Sequence, residues 1–289
     1  MRPFDPRVTP VRADLAAKEL QGKVAAPRYT EGSRYEIIAA QTPVRSEPRP
    51  DAPLATEALR GERVTVYDIN SEGWAWGQLT ADGYVGWLGE SAIKPAGQQP
   101  THKVMALRTL VFPGPSIKLP PLEALPFGAQ LIVAETTDRM AITPTRGYVP
   151  SVHLAPLKQY EADFVAVAER FVGAPYLWGG KTVLGLDCSG LVQVALAACG
   201  IASPRDSDMQ EAALGVPIRV ASGLADPQRG DLIFWEDHVA VVRDRTNLIH
   251  ANAFHMAVAI EPISQAVERI RASGAEISSI RRLPRANAS

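Results

Sequence analysis

The spacing of apolar residues changes once along the chain, near Pro156. Before that point, short alternations such as LRGERVTV and LPFGAQLIV run between glycine and proline turn signals and predict short β-strands. After it the period lengthens. In YEADFVAVAERFVG, Phe164, Val167, Ala168 and Phe171 recur at helical spacing and predict an amphipathic helix ending at Gly173. In GLDCSGLVQVALAACG, residues 185–200, Leu191, Val194, Ala195 and Ala198 mark the buried face of a second helix that stops at Gly200. GDLIFW, HVAVVRD and NLIHAN then read as strands. Helices followed by an antiparallel sheet predict an α+β domain.

Proline usage follows the same division, with 18 of 24 prolines at or before Pro156. The first section also repeats. Gly61 follows Val44 by seventeen residues, Gly128 follows Val111 by seventeen, and each half reaches a Gly-Tyr-Val, at Tyr84 and Tyr148. Units of roughly 60 residues with this pattern predict two small β-barrels. In VRADLAAKELQGKV, Leu15, Leu20 and Val24 approach helical spacing, so a short packing helix is expected ahead of them. The expected organisation is an N-terminal helix or arm (1–30), a first barrel (31–96), a second barrel (97–157) and the α+β domain (158–289).

Composition narrows the function classes. The chain has 289 residues, is 46% hydrophobic and 21% charged, and carries a net charge of −1. Near-neutral charge gives no reason to expect a nucleic-acid or anionic-membrane partner. No apolar run reaches the length of a membrane span, and the N-terminus lacks the apolar stretch of a secretory signal. Two cysteines in so long a chain do not make a disulfide framework. The expectation is a cytoplasmic, monomeric protein with free thiols.

The two cysteines occupy opposite ends of the second helix. Asp187 is a good N-cap and puts Cys188 at the first helical position, where the helix dipole favours thiolate. Cys199, near the other end, reads as packing. Glycines in YLWGG and the small residues of CSG leave room for a substrate backbone and for oxyanion donors near Cys188. A thiol nucleophile needs a base, and the base an orienting group. His238 and His250 lie twelve residues apart on consecutive strands, so an even hairpin register puts them on one face. His238 then serves as base and His250 as its orienter. Zinc ligation by Cys188, His238 and His250 is the competing chemistry, although close ligand spacings are missing. His255, at an odd offset from His250, points to the opposite face if its strand continues.

Taken in order, YLWGG, GLDCSGLVQ, GDLIFW, DHVAVV and LIHAN resemble the NlpC family of papain-like cysteine peptidases, which cleave bacterial cell-wall peptides. The resemblance covers about residues 158–289. It implies Cys188 as nucleophile, His238 as base and His250 as third catalytic residue, with no cofactor. Many members carry glycine where this chain has Ala240. The two barrels resemble bacterial SH3-type domains. Their order before the peptidase is similar to γ-D-glutamyl-L-diamino acid endopeptidases of the dipeptidyl-peptidase VI type, which act in murein peptide recycling on substrates with a free N-terminal L-Ala. That likeness implies Tyr176 and Ser189 lining the site and Ser207 holding the D-Glu carboxylate. It also implies that Asp187, Glu57 and Tyr84 read the L-Ala ammonium, with Glu62 a neighbouring alternative to Glu57. Diaminopimelate and lysine both remain open at the third position. The rival readings are an acyltransferase or amidase on the same scaffold and an inactive wall-binding protein.

Overall fold

The computed structural model describes residues 4–137, 139–218 and 227–284. Two units divide the chain, 1–159 and 160–289. Among the described residues no helix is long and apolar enough to cross a membrane.

The N-terminal helix expected in VRADLAAKEL is not formed. Leu15–Ala17 is a strand, antiparallel to Val11–Arg12 and parallel to Tyr29–Thr30, and only Lys18–Leu20 makes a 3₁₀ turn. The reason is burial. Leu15, Ala16 and Ala17 are consecutive and all inaccessible, packed with Tyr67 and Trp76, whereas a surface helix buries one stripe. Tertiary packing here overrides a weak helical preference. Arg12 closes the cluster by stacking its guanidinium 4.9 Å from the rings of both Trp76 and Trp87.

Seven strands between Ser33 and Pro95 form one sheet around Ile37, Val44, Val64, Leu79 and Leu88. Shorter strand pairs between His102 and Pro156 surround a second core of Val104, Val111, Leu125, Leu131 and Val149. The repeat has a physical counterpart in its two glycines, since Gly61 and Gly128 have φ of 82° and 84°. At Gly61 a Cβ would also lie 2.5 Å from the Gln130 carbonyl oxygen, so close chain approach forbids a side chain there.

The second unit is α+β. Its helices are α1 (Phe164–Glu169), α2 (Cys188–Ala198), α3 (Ser207–Ala213) and α4 (Ile263–Ala272). The sheet runs, in spatial order, Val216–Pro217, Ile277–Arg282, Leu232–Trp235, His238–Val242, Asn247–Asn252 and Ala257–Pro262. All neighbours within it are antiparallel. α1 is shorter than its apolar spacing suggests, and the chain turns through Gly173 at φ 86°. α2 is buried on nearly every side and lies against the strands His238–Val242 and Asn247–Asn252. A helix that is apolar all round belongs in a core, which fixes its N-terminus firmly. Ile233, Val242 and Leu248 of the sheet pack with Ile263 and Ala266 of α4.

Candidate active site

Cys188 is the first residue of α2, and the Asp187 carboxylate caps the helix by accepting the Gly190 N–H at 2.7 Å. The sulfur is buried and faces the carbonyl oxygen of Asp237 at 3.9 Å. The N–H groups of Val239 and Ser189 also act on it. Cys188 therefore sits against the residues on either side of His238. Cys199 is half-buried at the C-terminus of the same helix.

The two histidines meet through the strand pairing. Val241 opposes Ile249 and Val242 opposes Leu248, an even register, and His238 Nε2 lies 2.8 Å from His250 Nδ1. The Trp235 ring stacks on His238 with centroids 5.7 Å apart. His250 is 1% exposed, and its other nitrogen, Nε2, lies 2.8 Å from Glu261 Oε1. Arg269 of α4 donates to the same carboxylate oxygen. His255 is not across the sheet as its odd offset suggested. The strand ends at Asn252, a turn intervenes, and the His255 ring comes back to 6.5 Å from that of His250.

The electrostatics reverse one expectation. The position of Cys188 at a helix N-terminus suggested a lowered thiol pKa. Instead burial, reinforced by the Asp187 carboxylate, pushes the thiol up to about 12, against the opposing pull of the Val239 and Ser189 N–H groups. Burial also pushes His238 down to about 3, helped by His250 and Arg269, with Glu261 opposing. Burial lowers His250 as well, against the pull of Glu261. These shifts favour the neutral thiol and the neutral imidazoles.

These buried imidazoles link stability to pH. A histidine whose folded pKa lies below its unfolded value of about 6.5 is stabilising above that value and loses the contribution as pH falls toward the folded pKa. Thermal stability is therefore expected to decline between about pH 6.5 and 4, and His238→Asn is expected to flatten the decline. Calorimetry of both proteins across that range checks this; parallel curves would refute it.

Asp187 is tied down on all sides. Its Oδ1 accepts from Gly190 N and from Arg205 Nη1 at 2.9 Å, and its Oδ2 accepts from Gly179 N and Arg205 Nη2, both at 2.8 Å. Ser189 Oγ adds a longer contact at 3.4 Å. A carboxylate has about four acceptor sites, so little is left for a substrate ammonium. The fully buried Arg205 also reaches Ser189 Oγ at 3.0 Å and the Gly180 carbonyl at 3.2 Å. The small residues around Cys188 have a tighter reason than substrate access: a Cβ on Gly190 would lie 2.3 Å from the Gly180 oxygen.

Of the remaining candidates, Tyr176 is half-buried, and its hydroxyl is pushed up to about 12 by burial and by nearby Cys188 and Asp187. Ser189 follows Cys188, and its carbonyl accepts from Gln210 Nε2 at 2.9 Å. Ser207 opens α3 and is largely buried. Glu57 and Tyr84 lie in the first unit. Glu57 is 5% exposed and accepts from Gln41 Nε2 at 3.1 Å, while Tyr84 packs in the core of the first sheet. Sequence reading missed Arg205, Glu261 and Arg269. Glu261 lies eleven residues after His250, and its approach depends on the register set by the turn after Asn252. Arg205, in SPRDSDMQ, had no usable signal.

This geometry is that of a thiol hydrolase, and comparison with known proteins gives the class. Residues 173–274 match the NlpC/P60 family, and residues 44–93 match the bacterial dipeptidyl-peptidase Sh3 domain. The protein is a peptidase, a hydrolase in which an SH3-like domain precedes the catalytic one. Its second unit belongs to the NlpC/P60 family. Dipeptidyl-peptidase 6 of Lysinibacillus sphaericus is 29% identical over 239 residues, spanning 75% of this chain and 86% of that protein. A γ-D-glutamyl-L-lysine dipeptidyl-peptidase of Bacillus cereus is 28% identical over 244 residues, spanning 73% and 71%. The crystal structure of an NlpC/P60 family protein from Bacillus cereus shares the fold, with a TM-score of 0.72 at 23% identity over 87% of this chain and 100% of that one.

Proposed function

We propose that the protein hydrolyses the amide between γ-D-Glu and a diamino acid in peptidoglycan-derived peptides. The observation that carries the reading is the buried Cys188 thiol at the head of α2, set against the strand that brings His238 to His250. The names of the relatives supply the bond and the substrate class.

Each step follows from the neutral resting pair. As Cys188 Sγ attacks the γ-carbonyl carbon, its proton passes to His238, and the carbonyl electrons move onto oxygen. First-turn N–H groups of α2, including that of Cys188, face the oxyanion, because a helix leaves these donors outside its own bonds. Collapse breaks the C–N bond, His238 gives its proton to the departing amine, and a thioester remains. Water attacks this thioester with His238 as base, releasing the acid and the thiol. Tyr176 and Ser189 are assigned to line the site, and Ser207 to hold the D-Glu carboxylate, to which its hydroxyl can donate. The reading places this cleavage in murein peptide recycling.

Selectivity for the bond is the test. L-Ala-γ-D-Glu-L-Lys and its diaminopimelate counterpart are expected to yield L-Ala-D-Glu and the free diamino acid. The α-linked isomer, which brings the scissile carbonyl two methylenes closer to the L-Ala amide nitrogen, is expected to stay intact. Mass spectrometry of the products decides; equal cleavage of both isomers would overturn the assignment.

A further inference from the structure

Beyond Cys188 and the two histidines lies a second layer, Glu261 and Arg269. His250 is paired directly with Ala259 in the sheet, which leaves Glu261 as its diagonal neighbour on the next strand. Its carboxylate is largely buried and accepts from both His250 Nε2 and Arg269. Arg269 is held in turn, with its guanidinium 4.4 Å from the Phe254 ring. His250, His255 and Glu261 also bring ligand-type atoms within 4.8 Å of one another. Glu261, however, is already shared by an imidazole N–H and a guanidinium, a donor set that makes it a hydrogen-bond acceptor.

We propose that Glu261, clamped by Arg269, is a positioning residue that fixes His250 as its Nε2–H tautomer and so sets the direction of the whole relay. An ionised carboxylate can only accept, so the proton between it and His250 belongs to His250 Nε2. His250 Nδ1 is then a lone pair, and His238 must donate to it from Nε2. The basic nitrogen of His238 is therefore Nδ1. With the opposite tautomer of His250, His238 would have to accept at Nε2 and would lose its base. Glu261 must be ionised to act only as an acceptor. Burial works against that, but His250 and Arg269 keep the carboxyl below its usual range. The inference rests on the thiol-hydrolase reading of the site.

Charged groups converge on His250 from every side. His238 faces it from the preceding strand, His255 from the following turn, Glu261 from the next strand and Arg269 from α4, with Cys188 beyond His238. Glu261 favours a positive charge on His238, whereas Arg269 opposes it. The two variants Glu261→Gln and Arg269→Gln therefore have opposite signs. The acid limb of Cys188 alkylation by iodoacetamide is expected to move to lower pH in Glu261→Gln and to higher pH in Arg269→Gln. Nitrogen NMR of ¹⁵N-histidine-labelled full-length protein is expected to show His250 protonated at Nε2 in the wild type and in Glu261→Gln. Mixed tautomers are expected in Glu261→Ala. That variant is also expected to lose about 10–100-fold in kcat with KM within about threefold, and Glu261→Gln to recover part of the loss.

His250 protonated at Nδ1 in the wild type, or limbs that shift in the same direction, would overturn the proposal. Glu261→Gln conserves volume, so the comparison survives if the alanine variant fails to fold. NMR and alkylation need no substrate. A wild-type protein inactive on murein peptides would therefore count against the proposed function and leave the relay to be judged separately.

Discussion

Cys188→Ala is expected to lower peptide hydrolysis by on the order of 10⁶-fold, the largest effect of any single change in the chain. In the proposed mechanism the sulfur forms and breaks the covalent bond, so no neighbouring group can substitute for it. Structure should survive the change. Cys188 and alanine share the Cβ, the Asp187 cap does not bond to the sulfur, and the sulfur's hydrogen bond to the Asp237 carbonyl is long. The expected cost is about 1 kcal/mol or less. Circular dichroism and calorimetry alongside the assay separate the two effects, and loss of activity through unfolding would remove the support that this variant gives to a nucleophile.

Arg205→Met is expected to produce the largest loss of stability. Arg205 is fully buried and meets Asp187 through two parallel bonds of 2.9 and 2.8 Å. Removing the guanidinium leaves a buried carboxylate with two backbone N–H donors and no counter-charge. Breaking a buried pair in this way costs about 3–5 kcal/mol. The cost should be shared, so Asp187→Asn combined with Arg205→Met is expected to be less damaging than the sum of the two single changes. Denaturant unfolding of the four proteins provides the cycle. Strict additivity would show that the pair does not act as a unit. Because Asp187 also heads α2, Arg205→Met is expected to lower activity by misplacing Cys188, with no direct contact to substrate invoked.

Local rules made the helix carrying Cys188 legible. An aspartate before CSG and a glycine after the apolar run are cap signals that act over one turn, and α2 begins and ends as they indicate. The approach of His238 to His250 was legible for a similar reason, since strand parity needs only their separation and a hairpin. Long-range packing hid the rest. VRADLAAKEL became a strand because Tyr67 and Trp76 cover three successive residues. The thiol pKa rose because the helix that supplies the dipole also takes the sulfur out of water, and burial outweighs a partial charge. Arg205 comes eighteen residues after Asp187, and nothing local marks it as the one arginine with no exposed surface among the largest buried side chains. Glu261 required knowing that the strand ends at Asn252 and returns. The change in proline usage at Pro156 falls close to the division between the two units at 159/160, because turns leave such marks wherever they occur.

The proposed function joins a residue to a bond, Cys188 to cleavage of the γ-D-glutamyl amide. Incubating L-Ala-γ-D-Glu-L-Lys with the wild-type protein and with Cys188→Ala, followed by quantitation of the products, tests both halves together. The expected result is equimolar L-Ala-D-Glu and L-Lys from the wild type and none from the folded variant. Release of these products by Cys188→Ala at the wild-type rate, or cleavage by the wild type at the L-Ala–D-Glu bond, would contradict it.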